Sequence, residues 1–157
     1  MKLIGFAVAV ALLSAACGDA SSSTRAERTS AEQRYREAAN GLCRAFKRKA
    51  DAIAPPAVVP DQIRDYFAQL NDLQRKHNAA FARLSVPPSL ADLDRRERAF
   101  QARFLAMGNR TLRQMDSGGD PWHLAKLFSA KALPFERREN HVLRRLGLRD
   151  CLNDLPG

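Results

Sequence analysis

The chain predicts an all-α protein, an up-down four-helix bundle. Three observations carry that reading. From about residue 30 onward apolar residues recur at steps of three and four, no Val/Ile/Thr-rich alternating run occurs anywhere, and proline and glycine are confined mostly to three junctions. The helical part, residues 30–157, is of ordinary single-domain size.

The first helix is predicted to start at Ser30-Ala31-Glu32-Gln33, where the hydroxyl and the Gln33 side chain can satisfy orphan amides reciprocally. Its stripe is Tyr35, Ala39, Leu42, Phe46, Ala50 and Ile53, with Cys43 on the shoulder, and Pro55-Pro56 stops it. The second begins near Asp61, carries Ile63, Tyr66, Phe67, Leu70, Leu73, His77, Phe81 and Leu84 on one face, and ends before Pro87-Pro88. The third opens at Ser89 and runs through Leu93, Phe100, Phe104, Met107, Thr111 and Met115 to Gly118-Gly119. The fourth has Asp120 as N-cap and Pro121 at the first helical position, where a missing N–H costs nothing. Trp122, Leu124, Leu127, Phe128, Leu133 and Phe135 are expected to point inward, Pro134 to kink or split the helix, and Gly147 to cap it in a left-handed conformation with Leu148 making the accompanying apolar contact.

Ahead of this domain, Met1-Lys2 and an apolar run over residues 3–13 have the parts of an export signal. About 14 apolar or small residues rise only about 21 Å, short of a roughly 30 Å hydrocarbon core, so cleavage is expected rather than a span. Leu13-Ser14-Ala15-Ala16-Cys17 resembles the lipobox of bacterial lipoproteins, which implies a signal peptide over residues 1–16 and a Cys17 acylated as the mature N-terminus. The leucine expected three places before the cysteine is Ser14 here, so ordinary cleavage after Ser14-Ala15-Ala16 is the alternative. That alternative leaves Cys17 as a third, unpaired thiol in an oxidising compartment, whereas acylation leaves an even number of cysteines. Residues 17–29, with Ser21-Ser22-Ser23-Thr24, read as the lipidated cysteine and a flexible tether.

Cys43 and Cys151 are the expected disulfide. In an up-down bundle the first and fourth helices are antiparallel neighbours, and a few extended residues after Gly147 bring Cys151 back to Cys43. A staple closing so long a loop is worth about 4–5 kcal/mol in the chain-entropy model. A catalytic dithiol lacks its Cys-x-x-Cys spacing. With Leu42-Cys43, Leu84-Ser85-Val86-Pro87-Pro88 and the final Leu146-Gly147-Leu148-Arg149-Asp150-Cys151, the chain resembles small uncharacterised lipoproteins and secreted helical proteins of actinobacteria. That resemblance implies a disulfide-stapled bundle exported and lipid-anchored to the outer face of the cell membrane, and brings no activity with it.

The formal net charge is +9, lowered by one when the signal takes Lys2 away, and arginine greatly outnumbers lysine. Such a balance favours anionic surfaces, although an Arg- and Ala-rich composition is also what a GC-rich genome writes. Arg44, Lys47 and Arg48 share one helix face and are the candidate anion-binding residues; Arg95-Arg96-Arg98 and Arg137-Arg138 with Arg144-Arg145 are further basic clusters. Nucleic acid is disfavoured as a partner by export and by the absence of aromatics interleaved with the basic residues.

His77, His123 and His141 have no metal or haem spacing, and no metal site, cofactor or catalytic residue is expected. His77 and His141 are expected to approach the same end of the core near Tyr35, Trp122 to pack in the core or its staple, and Glu97, on the apolar line of the third helix, to find an arginine or sit beside a shifted stripe. The chain therefore reads as a non-catalytic, membrane-anchored binding or structural module of the envelope, held to the membrane by its N-terminal lipid, with anionic lipid or an envelope polymer as the expected contact and no protein partner named. The alternative is a carrier of a small apolar ligand among Phe67, Phe81, Phe100, Phe104, Phe128 and Phe135, which a cavity above about 300 Å³ between the helices would favour.

Overall fold

The computed structural model describes residues 20–57 and 59–153, with side chains from residue 25; the signal and Cys17 lie outside the described residues. Four helices follow one another, α1 (Ala20–Asp51), α2 (Pro60–Phe81), α3 (Ala91–Asp116) and α4 (Pro121–Leu146), and no strand occurs among the described residues. α2 packs against α1, α3 and α4, and α3 lies along α4. α1 meets α4 chiefly through a C-terminal 3-10 turn, Arg149–Cys151, which fills the seam where direct helix contact was expected.

The dense core sits at one end. Tyr35 and Ala39 of α1, Phe81 of α2, Leu90, and Val142, Leu143, Leu146 and Leu148 at the close of α4 form one buried cluster, with Leu42, Leu84, Leu93 and Phe100 packed against it. α4 ends as expected: Gly147 has φ 77°, its N–H bonds Arg144 O, and Leu148 N–H bonds Leu143 O while its side chain is fully buried. At the other end of α4, the Asp120 carboxylate accepts from Trp122 N–H at 3.0 Å and Pro121 opens the helix.

Several boundaries differ from the sequence pattern. α1 begins at Ala20, so Ser30 is interior and the segment expected to be a flexible tether is helical from residue 20. Once a packed helix exists, each added residue costs little to propagate, and the hydroxyls of Thr29 and Ser30 bond carbonyls of the preceding turn, Arg25 O and Glu27 O, instead of capping. Ser89 does not cap the third helix either: Pro88–Leu90 forms a 3-10 turn, and the Ser89 hydroxyl donates to Glu32 Oε1 at 2.7 Å. Pro134 does not split α4. It lies on the solvent side, as does Ala130, whose carbonyl loses its helical donor there and can turn to water.

Candidate functional site

The basic residues of α1 hold the C-terminal tail. Cys43 is bonded to Cys151, with Cα atoms 5.0 Å apart. Around that bond Arg36 Nε donates to Leu146 O (2.9 Å), Asn40 accepts from Asp150 N–H (3.0 Å) and reaches Gly147 O, Arg44 pairs with Asp150, and Lys47 Nζ donates to Leu152 O (3.0 Å). Spacings of three and four put Arg36, Asn40, Cys43, Arg44 and Lys47 on one face, which the tail covers. Two of the three residues expected to bind an anion thus serve the fold, and only Arg48 is exposed without a partner among the described residues.

The histidines do not converge. His77 packs between the rings of Phe46 and Phe81, at 5.0 and 5.9 Å between centroids, and burial lowers its pKa; His123 and His141 are exposed. The Tyr35 hydroxyl donates to Asp94 Oδ1 at 2.8 Å, and burial followed by that bond raises its pKa. No cluster of three or more His, Cys, Asp or Glu side chains able to hold a metal occurs among the described residues. Trp122 is 47% exposed, with Lys126 Nζ 4.9 Å from its ring centroid, so it is a rim aromatic and not a core residue.

The buried line of α3 is more polar than its sequence suggests. It comprises Asp94, Glu97, Gln101, Gly108, Thr111 and Met115, while Phe100, Phe104 and Met107 flank it half-buried. Asp94 is answered by Tyr35 and by Arg98, whose Nε donates at 2.5 Å. Glu97 finds no arginine. Its Oε1 accepts from Gln101 at 3.0 Å, its Oε2 has no partner, and Glu139 of α4 confronts it. Burial first, and the Glu139 charge second, push the Glu97 carboxyl up, and burial raises Glu139 as well.

The free cations lie on the opposite side of this seam. Between α3 and α4 runs a surface groove of about 680 Å³, with Met107, Ala106, Ala130, Pro134 and Phe135 as its floor and Arg103, Arg110, Lys131 and Arg138 along its edges. Arg103 and Arg110 are seven residues apart on α3, and Lys131 and Arg138 seven apart on α4, so each edge carries two cations about 10 Å apart. All four are exposed, none has a hydrogen bond or ion pair among the described residues, and no acidic residue lines the groove. A second depression of about 200 Å³ shares Met107, Arg110 and Lys131 with it and continues to Leu124 and to Leu127, which is 41% exposed. Of these cations only Arg138 falls in a sequence-adjacent basic cluster; the paired seven-residue spacings on two helices are the signal that such clusters miss.

Fold and site define a disulfide-stapled helical bundle with a cation-edged apolar groove. Comparison with protein-family models, curated proteins and solved structures finds no match for the chain. No helix among the described residues is long and apolar enough to cross a membrane.

Proposed function

We propose that the protein is an exported, non-catalytic binding module of the cell envelope, anchored through an acylated Cys17, and that its α3–α4 groove engages an anionic phospholipid. The observation that carries this is the groove itself: four exposed, unpartnered cations around an apolar floor, with no acid among them. A phosphate accepts from arginine in bidentate geometry, and acyl carbons would cover Met107, Pro134 and Phe135. Leu127 and Trp122 supply further exposed apolar surface on α4. Each well-placed cation near an anionic bilayer contributes about 1 kcal/mol, less at higher salt.

The test uses mature-length protein carrying Cys17→Ser, hence without acyl chains. Cosedimentation with phosphatidylglycerol vesicles at low salt, absent with phosphatidylcholine vesicles, supports the reading. Equal binding to both refutes the lipid assignment, and binding to an acidic envelope polymer alone transfers the groove to that partner. The anchor is checked separately by mass spectrometry of the mature N-terminus, where an unmodified Cys17 or a retained signal contradicts it.

A further inference from the structure

Beside the disulfide, on the inner side of α3, a recess of about 70 Å³ is lined by Cys43, Phe46, Gln74, His77, Glu97, Gln101, Phe104, Glu139, Cys151 and Asn153. It shares Phe46, Gln74, Phe104 and Asn153 with a larger chamber of about 240 Å³, which Phe67, Leu70 and Phe128 wall with apolar surface and Glu136 adjoins. The rings of Phe67 and Phe104 both meet Phe128 edge to face, at 4.8 and 5.3 Å. The chamber falls short of the volume that would favour an apolar carrier; the α3–α4 groove exceeds it but is open to solvent and holds only Phe135 of the six phenylalanines. What sets the two spaces apart is their charge. In a chain of net charge +9, three carboxylates and no lysine or arginine line them among the described residues.

The recess also has too many acceptors. Glu97 is only 2% exposed and its Oε2 has no partner. Gln101 and Gln74 use their amide N–H groups on Glu97 and Asn78, and neither side-chain oxygen accepts a hydrogen bond among the described residues. Glu139 accepts from the Asn153 amide at 2.9 Å and from the protonated Glu97 carboxyl, so in the empty protein a single proton lies between the two carboxyl groups. Once Glu97 gives up that proton, its buried carboxylate faces Glu139 with no cation between them, and a ligand that brings several N–H groups answers both carboxylates, with the Gln74 and Gln101 oxygens as further acceptors. An ammonium brings three, and the neighbouring phenyl faces attract it further. A metal ion fits less well, because among the described residues no three ligating side chains converge.

We propose that this recess and chamber form a binding site for a small organic amine, its ammonium group between Glu97 and Glu139 and its apolar body among Phe46, Phe67, Phe104 and Phe128. The site is independent of the phospholipid groove. Binding the cation requires charged carboxylates, so the ligand's entry releases a proton that Glu97 holds in the empty protein, and affinity rises with pH. The other titratable or charged groups around the pair are His77 on α2, Asp94 and Arg98 on α3, Glu136 on α4, and Tyr35 and Lys47 on α1. His77, already held neutral by burial, adds no opposing change above pH 7.

The probe is 2-phenylethylamine, with 2-phenylethanol as its neutral counterpart, titrated calorimetrically into the disulfide-intact full-length protein at pH 6.5 and 8.5. Saturable binding of the amine, tighter at pH 8.5, accompanied by proton release and at least about tenfold tighter than the alcohol, is expected. Glu97→Gln and Glu139→Gln should each weaken it about tenfold or more, while Glu97→Gln keeps or raises the melting temperature, so that lost binding is not lost folding. Absence of saturable amine binding, equal binding of the alcohol, or affinity unchanged in Glu97→Gln overturns the proposal.

Discussion

Glu97 and Asp94 are three residues apart on one buried face of α3, yet only one of them is answered. Asp94 has a phenol and a guanidinium, whereas Glu97 has an amide on one oxygen and a second carboxyl opposite. Burial and Glu139 raise the Glu97 carboxyl from its ordinary 4.5 to about 9. The folded protein therefore binds a proton that the unfolded chain releases, and stability falls as pH climbs between those values, at up to about 1.4 kcal/mol per unit. His77, with a lowered pKa, acts oppositely, but only below about its unfolded value of 6.5. Above pH 7 His77 no longer opposes this fall and the raised Glu139 adds to it: denaturant midpoints of the wild type should fall from pH 7 to 9, and those of Glu97→Gln, which keeps only the Glu139 part, should fall markedly less. Parallel slopes for the two proteins would contradict this assignment. That Glu97 sits on the inward line was legible from its spacing between Leu93 and Phe100. Its lack of an arginine was not, because the expected partner was to come from a neighbouring helix, and spacing along α3 does not say which side chain that helix presents; Arg98, four residues from Asp94, pairs with that carboxylate and with Ala82 O instead.

At the scale of elements, the count of four helices, the N-cap at Asp120, the left-handed end at Gly147 and the Cys43–Cys151 bond follow from local pattern and cysteine parity. The start of α1 does not, since Ser30 has the chemistry of a cap and nothing in residues 20–29 shows that the helix runs through them. The polar face of α1 misleads for a related reason. Arg44 and Lys47 look like a solvated basic patch until the tail is placed over them, and periodicity says nothing about which segment will cover a face. Asn40 and Arg36, one and two turns before Arg44, belong to the same clamp. Asn40→Ala should therefore cost about 1–2 kcal/mol through the lost bonds to Gly147 and Asp150, with the disulfide still formed. Cys43→Ala should cost more, about 4–5 kcal/mol in the chain-entropy model. Urea midpoints of the two variants check this order, and an unchanged midpoint for either removes that part of the clamp from the account.

Across the whole molecule, charge is separated by the α3–α4 layer: acids line the inner spaces and unpartnered cations edge the outer groove. The dense core and the staple occupy the end where α4 and the tail close on α1, and the exposed aromatic Trp122 lies at the far end of α4. The proposed phospholipid contact therefore makes a positional claim that net charge alone does not. If composition alone drove association, any two arginines would matter equally. Flotation of the acyl-free protein with phosphatidylglycerol vesicles at low salt decides this, comparing the double charge reversal Arg103→Glu with Arg138→Glu against a second one, Arg48→Glu with Arg145→Glu, placed on exposed residues outside the groove. The groove reversal should weaken vesicle binding by about tenfold or more, on the scale of about 1 kcal/mol for each removed charge, and the control reversal substantially less. Equal losses in the two variants, or none in the first, would contradict it.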